Sequence, residues 1–211
     1  MLPETGPYTV YDAWENRIIG VYEGQKVPIR LDPSESCVIF KGDLADEADK
    51  IRIREDENFF SKAKTEDWSG GFERSICKSI DYPAFSDPKL ISVPDTLGEE
   101  EPKFSGFVRY EKELFIDTES VIPRTVLGIT DAREGVEVFV NDRSLGIRII
   151  PEYRFDLTPY LKPGAHNIRI EVATTLEREA QDFPSRYKAM GMQFPPVTTP
   201  SGINGKVFLL R

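Results

Sequence analysis

Residues 136–172 read VEVFVNDRSLGIRIIPEYRFDLTPYLKPGAHNIRIEV, and this stretch decides the fold. In VEVFVN the side chains of Val136, Val138 and Val140 fall on one face, with Glu137 and Phe139 on the other, which is the two-residue period of a strand. Asn141 and Asp142 tolerate the left-handed conformations that a tight hairpin needs, and Gly146 marks a further bend. After the Pro163-Gly164 turn, Ile168, Ile170 and Val172 alternate with Arg169 and Glu171. That pattern predicts one buried and one wet sheet face. This is the grammar of an antiparallel β-sandwich, and it contains no catalytic group of its own.

Working outward, residues 104–211 repeat the pattern in GFVRYEKELFI, RTVLGIT, IRIEVA and KVFLLR. Turn signals every 8–12 residues give the rhythm of an all-β sandwich. Leu176–Gln181 is the one segment there that predicts a helical turn, and the proline-rich stretch 193–202 reads as a surface loop. Residues 43–103 are polar and irregular, with strand signals at Ile51–Ile53 and Ser75–Ile80. Residues 7–42 predict short strands in TVYDAW, IIGVYE, VPIRL and CVIF, too few for an independent domain. The expected organisation is therefore a β segment over 1–42, the end of a preceding β domain, followed by a sandwich over 43–211 with its core strands in 104–211.

Composition narrows the function classes. The chain has 211 residues and a net charge of −9. That balance argues against a nucleic-acid partner, because phosphate binding relies on concentrated Lys and Arg. No apolar run approaches a membrane span. No positively charged, apolar leader opens the chain. That leaves a cytosolic protein or a piece of a longer one, a secreted or periplasmic parent included. Cys37 and Cys77 lie 40 residues apart without CxxC spacing and read as free thiols. With one histidine in the chain, a His-based zinc site or a His-dependent triad has little to work with. The run Glu99-Glu100-Glu101 reads as a solvated loop. A calcium site is its sharper alternative, but the spacing shows no converging oxygen ligands. The LPETG at residues 2–6 matches a cell-wall sorting pattern that works near a C-terminus, so here it reads as coincidence.

Four segments carry a resemblance: FSGFVRYEKEL (104–114), GVEVFVNDRSLG (135–146), YRFDLTPYLKPGAHNIRIEVATTL (153–176) and PSGINGKVFLL (200–210). Together they resemble the sugar-binding domain of glycoside hydrolase family 2. Similar domains close the chains of large α-L-rhamnosidase-like glycosidases. Residues 10–40 resemble the β-rich segment that precedes such a domain. The resemblance covers about half of the chain and implies a galactose-binding-like jelly-roll β-sandwich. Where the family carries an Asn in V-x-N-T-L, Thr174 stands here, so no ligand contact is carried over to that position.

A glycosidase needs two carboxyl groups flanking the scissile bond, one with a raised pKa. Asp131 and Glu134 in TDAREG are the best-placed pair, but acids in such a turn cap strands first. In the resembling enzymes the catalytic acids belong to a separate barrel domain, and no βα repeat of that kind occurs here. The expectation is a non-catalytic accessory module whose partners are carbohydrate and the catalytic domain of a parent chain.

Sugar recognition combines an aromatic face with a few directed polar groups. The candidates are Trp68, beside Gly70-Gly71 in a polar loop, and Tyr153 or Tyr160 flanking FDLTP. Asn141, Asp142 and Arg143 form a polar turn able to reach hydroxyls, although hairpin geometry claims the first two. Arg186, with Tyr187, Lys188, Met190 and Met192, could face a partner domain. Trp14 sits in a strand pattern and reads as core.

Overall fold

The computed structural model describes residues 2, 4–29, 31, 36–117, 122–151, 153–181, 184, 186–191, 197 and 200–211. The chain divides into two compact units, Met1–Lys64 and Thr65–Arg211.

The first unit is a three-stranded antiparallel sheet, β2-β1-β3, with one helix. Its strands are β1 (Tyr8–Asp12), β2 (Arg17–Tyr22) and β3 (Val38–Lys41). The described residues of VPIRL are not a strand. Trp14 is not core either: it stands 56% exposed in the turn between β1 and β2, where Asp12 Oδ1 accepts from its backbone N at 2.9 Å. Ile51–Ile53 is part of helix α1 (Glu47–Lys62) rather than a strand. Local capping overrides the β-branched triplet. Asp46 accepts from the Asp49 backbone N at 2.8 Å, and the Asp49 carboxylate accepts from the Asp46 N at 3.4 Å. Glu47 and Asp49 in the first turn and Lys62 in the last suit the helix dipole. No residue of α1 is buried. It is held through polar contacts: the Arg17 guanidinium meets Asp56 at 3.0 Å, and Arg52 donates to the Ile18 carbonyl at 2.9 Å.

The second unit is an all-β sandwich. Its strands are β4 (Thr65–Asp67), β5 (Phe72–Lys78), β6 (Lys89–Ile91), β7 (Gly106–Ile116), β8 (Val126–Ile129), β9 (Ala132–Arg133), β10 (Gly135–Val140), β11 (Arg143–Arg148), β12 (Tyr153–Asp156), β13 (Gly164–Ala173), β14 (Gly202–Ile203) and β15 (Val207–Leu210). One sheet has the order β11-β10-β13-β7-β5-β6 and the other β12-β8-β15-β4, with β14-β9 as a two-stranded bridge. Short helices α2 (Leu97–Glu100), α3 (Glu177–Ala180) and α4 (Arg186–Ala189) sit in the connections, α3 where Leu176–Gln181 predicts it.

The alternation in 136–172 is realised. Val136, Val138, Ile168, Ile170 and Val172 are fully buried, and they meet Leu127, Ile129, Val207 and Leu209 of the facing sheet in one core. Each such side chain contributes roughly 1.5–3 kcal/mol through burial. The hairpin turns at Asn141 (φ 48°) and Asp142 (φ 66°), the primed geometry that matches strand twist. Gly146, at φ 98°, lies where the β10–β11 register shifts between Glu137 and Phe139, so the predicted bend is a bulge.

The outer face of the larger sheet is drier than the alternation predicts. Glu171 is buried. It accepts from Arg109 Nε at 3.0 Å and forms an ion pair with Arg169 at 3.4 Å, and the Phe85 ring lies 3.7 Å from the Arg109 guanidinium carbon. The segment after β5 folds back over this face and shields the ion pairs.

Candidate functional site

Strand register separates the sandwich into two ends. Gly135, Ala173, Phe107 and Cys77 are aligned by successive pairing, and the chain leaves this end in the loops around 130–134, 174–178 and 104–106. Val140, Ile168 and Lys112 mark the opposite direction, where the Asn141-Asp142 turn projects.

The turn end accounts for its polar groups internally. Asn141 Oδ1 accepts from the Asn167 backbone N at 3.0 Å, which orients the amide so that Nδ2 donates to His166 Nδ1 at 2.8 Å. His166 Nε2 faces the Lys162 backbone, 2.7 Å from its carbonyl and 3.0 Å from its N. Asp142 pairs with Arg169 at 2.6 Å, and the Arg143 guanidinium lies 4.8 Å from the centre of the Tyr160 ring. The chain's one histidine is thus a buried strut for the hairpin.

Trp68 is a core residue, 6% exposed, and offers no stacking face. The polar-looking loop that carries it is the crossover from β4 in one sheet to β5 in the other, so its large side chain plugs the gap between the layers. Trp68 meets Phe72 edge-on at 5.4 Å. Lys112 lies 4.4 Å from the indole centre and donates to the carbonyls of Trp68 and Gly70 at 3.0 and 2.6 Å. Burial pushes the Lys112 ammonium pKa down. Tyr153 is likewise buried, 2% exposed, its hydroxyl shared between the carbonyls of Ala132 at 3.1 Å and Glu134 at 2.9 Å. Desolvation raises its pKa to about 12. Arg186 and Met190 are exposed on and beside α4, while Met192 lies outside the described residues. The sequence candidates therefore do not converge on one site.

What does converge lies at the opposite end from the turn. A cavity of about 410 Å³ opens among Pro94, Asp95, Glu99, Arg178, Ser201 and Asn204. A smaller one of about 20 Å³, lined by Arg133, Glu134, Thr174 and Thr175, adjoins it through Arg178 and Ser201. Beneath lies an ionic network with Arg74 and Asp95 buried at its centre. Arg74 donates to Asp95 at 2.5 Å and to Glu100 at 2.7 Å. Asp95 also accepts from the Tyr110 hydroxyl at 2.6 Å and the Leu97 backbone N at 3.0 Å, and Tyr110 in turn accepts from the Ile203 N at 3.0 Å. Arg74, Lys89 and Thr96 all donate to Glu100 and hold its carboxyl down at about 2. A general acid requires the opposite shift. The Tyr110 hydroxyl, buried beside Asp95, has its pKa pushed well up.

Arg178 is buried and donates to the Pro102 carbonyl at 2.8 Å, which fixes the loop opposite Ser201. Gly202, at φ +83°, lies so close to Tyr110 that a Cβ would stand 2.2 Å from the phenol oxygen. Only glycine fits there. Ser201 Oγ and both amide atoms of Asn204 are shut off from solvent and have no hydrogen-bond partner. Nothing in the residue types of PSGING distinguishes such orphans from an ordinary turn.

Among the described residues, no group of three or more His, Cys, Asp or Glu side chains is placed to hold a metal ion, and no helix is long and apolar enough to cross a membrane. Glu134 lines the smaller cavity, and the Asp131 backbone carbonyl accepts from the Asn204 and Gly205 backbone N at 3.0 Å each.

No family model matches this sequence, and no curated protein matches it. Solved structures do. A rhamnosidase from Novosphingobium sp. PP1Y matches 98% of this chain with 21% of its own, at 17% identity and a TM-score of 0.59. A β-glucuronidase from Faecalibacterium prausnitzii matches 70% with 31% of its chain, at 14% identity and a TM-score of 0.52. A β-glucuronidase from glycoside hydrolase family 2 matches 71% with 18%, at 20% identity and a TM-score of 0.50. The likeness is one of fold. This chain spans less than a third of the length of each of these enzymes.

Proposed function

We propose that this chain is a non-catalytic accessory module of a larger glycoside hydrolase. It braces the catalytic domain and meets carbohydrate only weakly. The extent of the likeness supports this reading most directly, since 98% of the chain corresponds to a fifth of a rhamnosidase. The side chains add to it. The aromatic candidates Trp68 and Tyr153 are spent on packing, and the Asn141-Asp142 turn is spent on its own hairpin. Such a surface suits interdomain contact better than strong sugar capture.

Two measurements test the reading. The purified chain is expected to release no nitrophenol from a panel of nitrophenyl glycosides, and turnover that survives rigorous purification overturns the non-catalytic role. Mass spectrometry of the natural protein is expected to find this sequence within a much longer chain that carries a catalytic domain. A natural product of 24.0 kDa overturns the accessory role.

A further inference from the structure

We infer that His166 is an acid-sensitive latch: protonation of its imidazole releases the Asn141-Asp142 turn and, with it, the edge strand β11. His166 is the chain's one histidine. It is 5% exposed and sits on the inner side of the larger sheet, opposite Leu114 of β7. Its ring bridges two segments. Nδ1 meets the Asn141 side chain at 2.8 Å, and Nε2 meets the backbone of Lys162 in the corner before β13.

The direction of one hydrogen bond decides the charge that the ring can carry. Asn141 Oδ1 is occupied by the Asn167 backbone N–H at 3.0 Å, so the amide presents Nδ2, a donor, to the ring. Nδ1 must then accept, and an imidazole that accepts at Nδ1 is neutral. A proton on Nδ1 sets donor against donor. Turning the amide over relieves that conflict only by facing Nδ2 to the Asn167 N–H, where it arises again. Either way the turn loses one of the two side-chain bonds that hold Asn141 at φ 48°, a conformation that costs a residue other than glycine. β11 is the outermost strand of its sheet, paired only with β10, so a loosened turn can spread into it as a local opening.

The charged groups around the ring are spent elsewhere. On the turn, Asp142 pairs with Arg169 of β13, and Arg143 lies over Tyr160. On β7, Lys112 donates to the carbonyls of Trp68 and Gly70, Glu111 accepts from Asn167 Nδ2, and Glu113 is exposed. At the corner, Asp156 pairs with Arg124, and Lys162 meets the ring through its backbone. Among the described residues no carboxylate bonds the ring. A buried cation without a partner is costly, and histidine is the side chain whose charge changes nearest neutral pH. Mild acid therefore selects the state in which the turn has opened and the ring reaches water.

The test is amide hydrogen exchange of the intact chain between about pH 7.5 and about pH 5, corrected for the intrinsic pH dependence of exchange. The His166 imidazole C–H signals are followed by NMR over the same range. The backbone N–H groups of Asn141 and Asn167, bonded at 2.9 and 3.0 Å, are expected to lose about fivefold in protection in acid, the equivalent of one hydrogen bond. The loss should follow the imidazole titration. The N–H groups of Asp95 and Ile203 at the cavity end are expected to keep their protection. His166→Gln can accept from Asn141 but takes up no proton, and it is expected to remove the pH dependence. Four outcomes overturn the latch: a ring that stays neutral down to about pH 5, a ring that titrates while protection at Asn141 is unchanged, an equal loss at both ends, or a loss that persists in folded His166→Gln. The first three are read on the unaltered chain and decide the matter even if the variant fails to fold.

Discussion

The two ends of the sandwich handle polarity in opposite ways. At the turn end every conspicuous group is answered by the fold: Asn141 by His166 and Asn167, Asp142 by Arg169. At the cavity end a saturated ionic network around Asp95 lies beneath three atoms that the fold leaves unanswered. Residues that stand out in a sequence because a turn needs them are the ones a turn consumes. Polar atoms that the fold leaves unpaired can be inconspicuous.

The sharpest way to break this contrast is to open the network. The Asp95 side chain is almost completely buried, and Asp95→Ala leaves Arg74 with Glu100 as its one remaining carboxylate and the buried Tyr110 hydroxyl without its acceptor. An expected loss of about 3–5 kcal/mol, read from urea unfolding, would far exceed any single change at the turn end. Gly202→Ala comes next, at about 2–3 kcal/mol. It combines a left-handed φ with a Cβ forced against Tyr110. Asn141→Ala should cost about 1–2 kcal/mol through its left-handed φ and the His166 bond. It should leave the Asn204 amide shifts unchanged, and a change there would erase the distinction between the ends.

The network also predicts a pH dependence. Glu100 is held down at about 2, against an ordinary 4.5. A carboxyl with a depressed folded-state pKa contributes stability that is fully present above its unfolded pKa and lost as pH falls through the folded one. The urea midpoint should therefore decline between about pH 4.5 and about 2, and Glu100→Gln should flatten that decline. The smallest effect is optical. Acrylamide should quench Trp14, 56% exposed, and spare Trp68, 6% exposed.

Much of the sandwich was legible in the sequence because a half-buried strand must alternate. Val136 to Val140 and Ile168 to Val172 specify a face, and Asn141-Asp142 specify the turn between strands. The α1 helix escaped because its apolar residues are few and none is buried. Its signal lay in the Asp46–Asp49 capping pair, beside an Ile-Arg-Ile triplet that imitates a strand. Glu171 and Trp68 were misread for a shared reason. A single-sequence pattern does not reveal which later segment covers a face, and a polar loop that crosses between sheets can carry a plug. The cavity was illegible because Ser201 and Asn204 stand out by what they fail to touch.

β4 lies at the edge of the smaller sheet, and its first residue, Thr65, sits directly opposite Leu210 of β15. β4 and β15 are therefore joined by a ladder of three residue pairs. Tension that enters at Thr65 and leaves at Leu210 would load those pairs one after another, like a zip, instead of shearing them together. The module should yield under force first at β4, with its inner strands still intact.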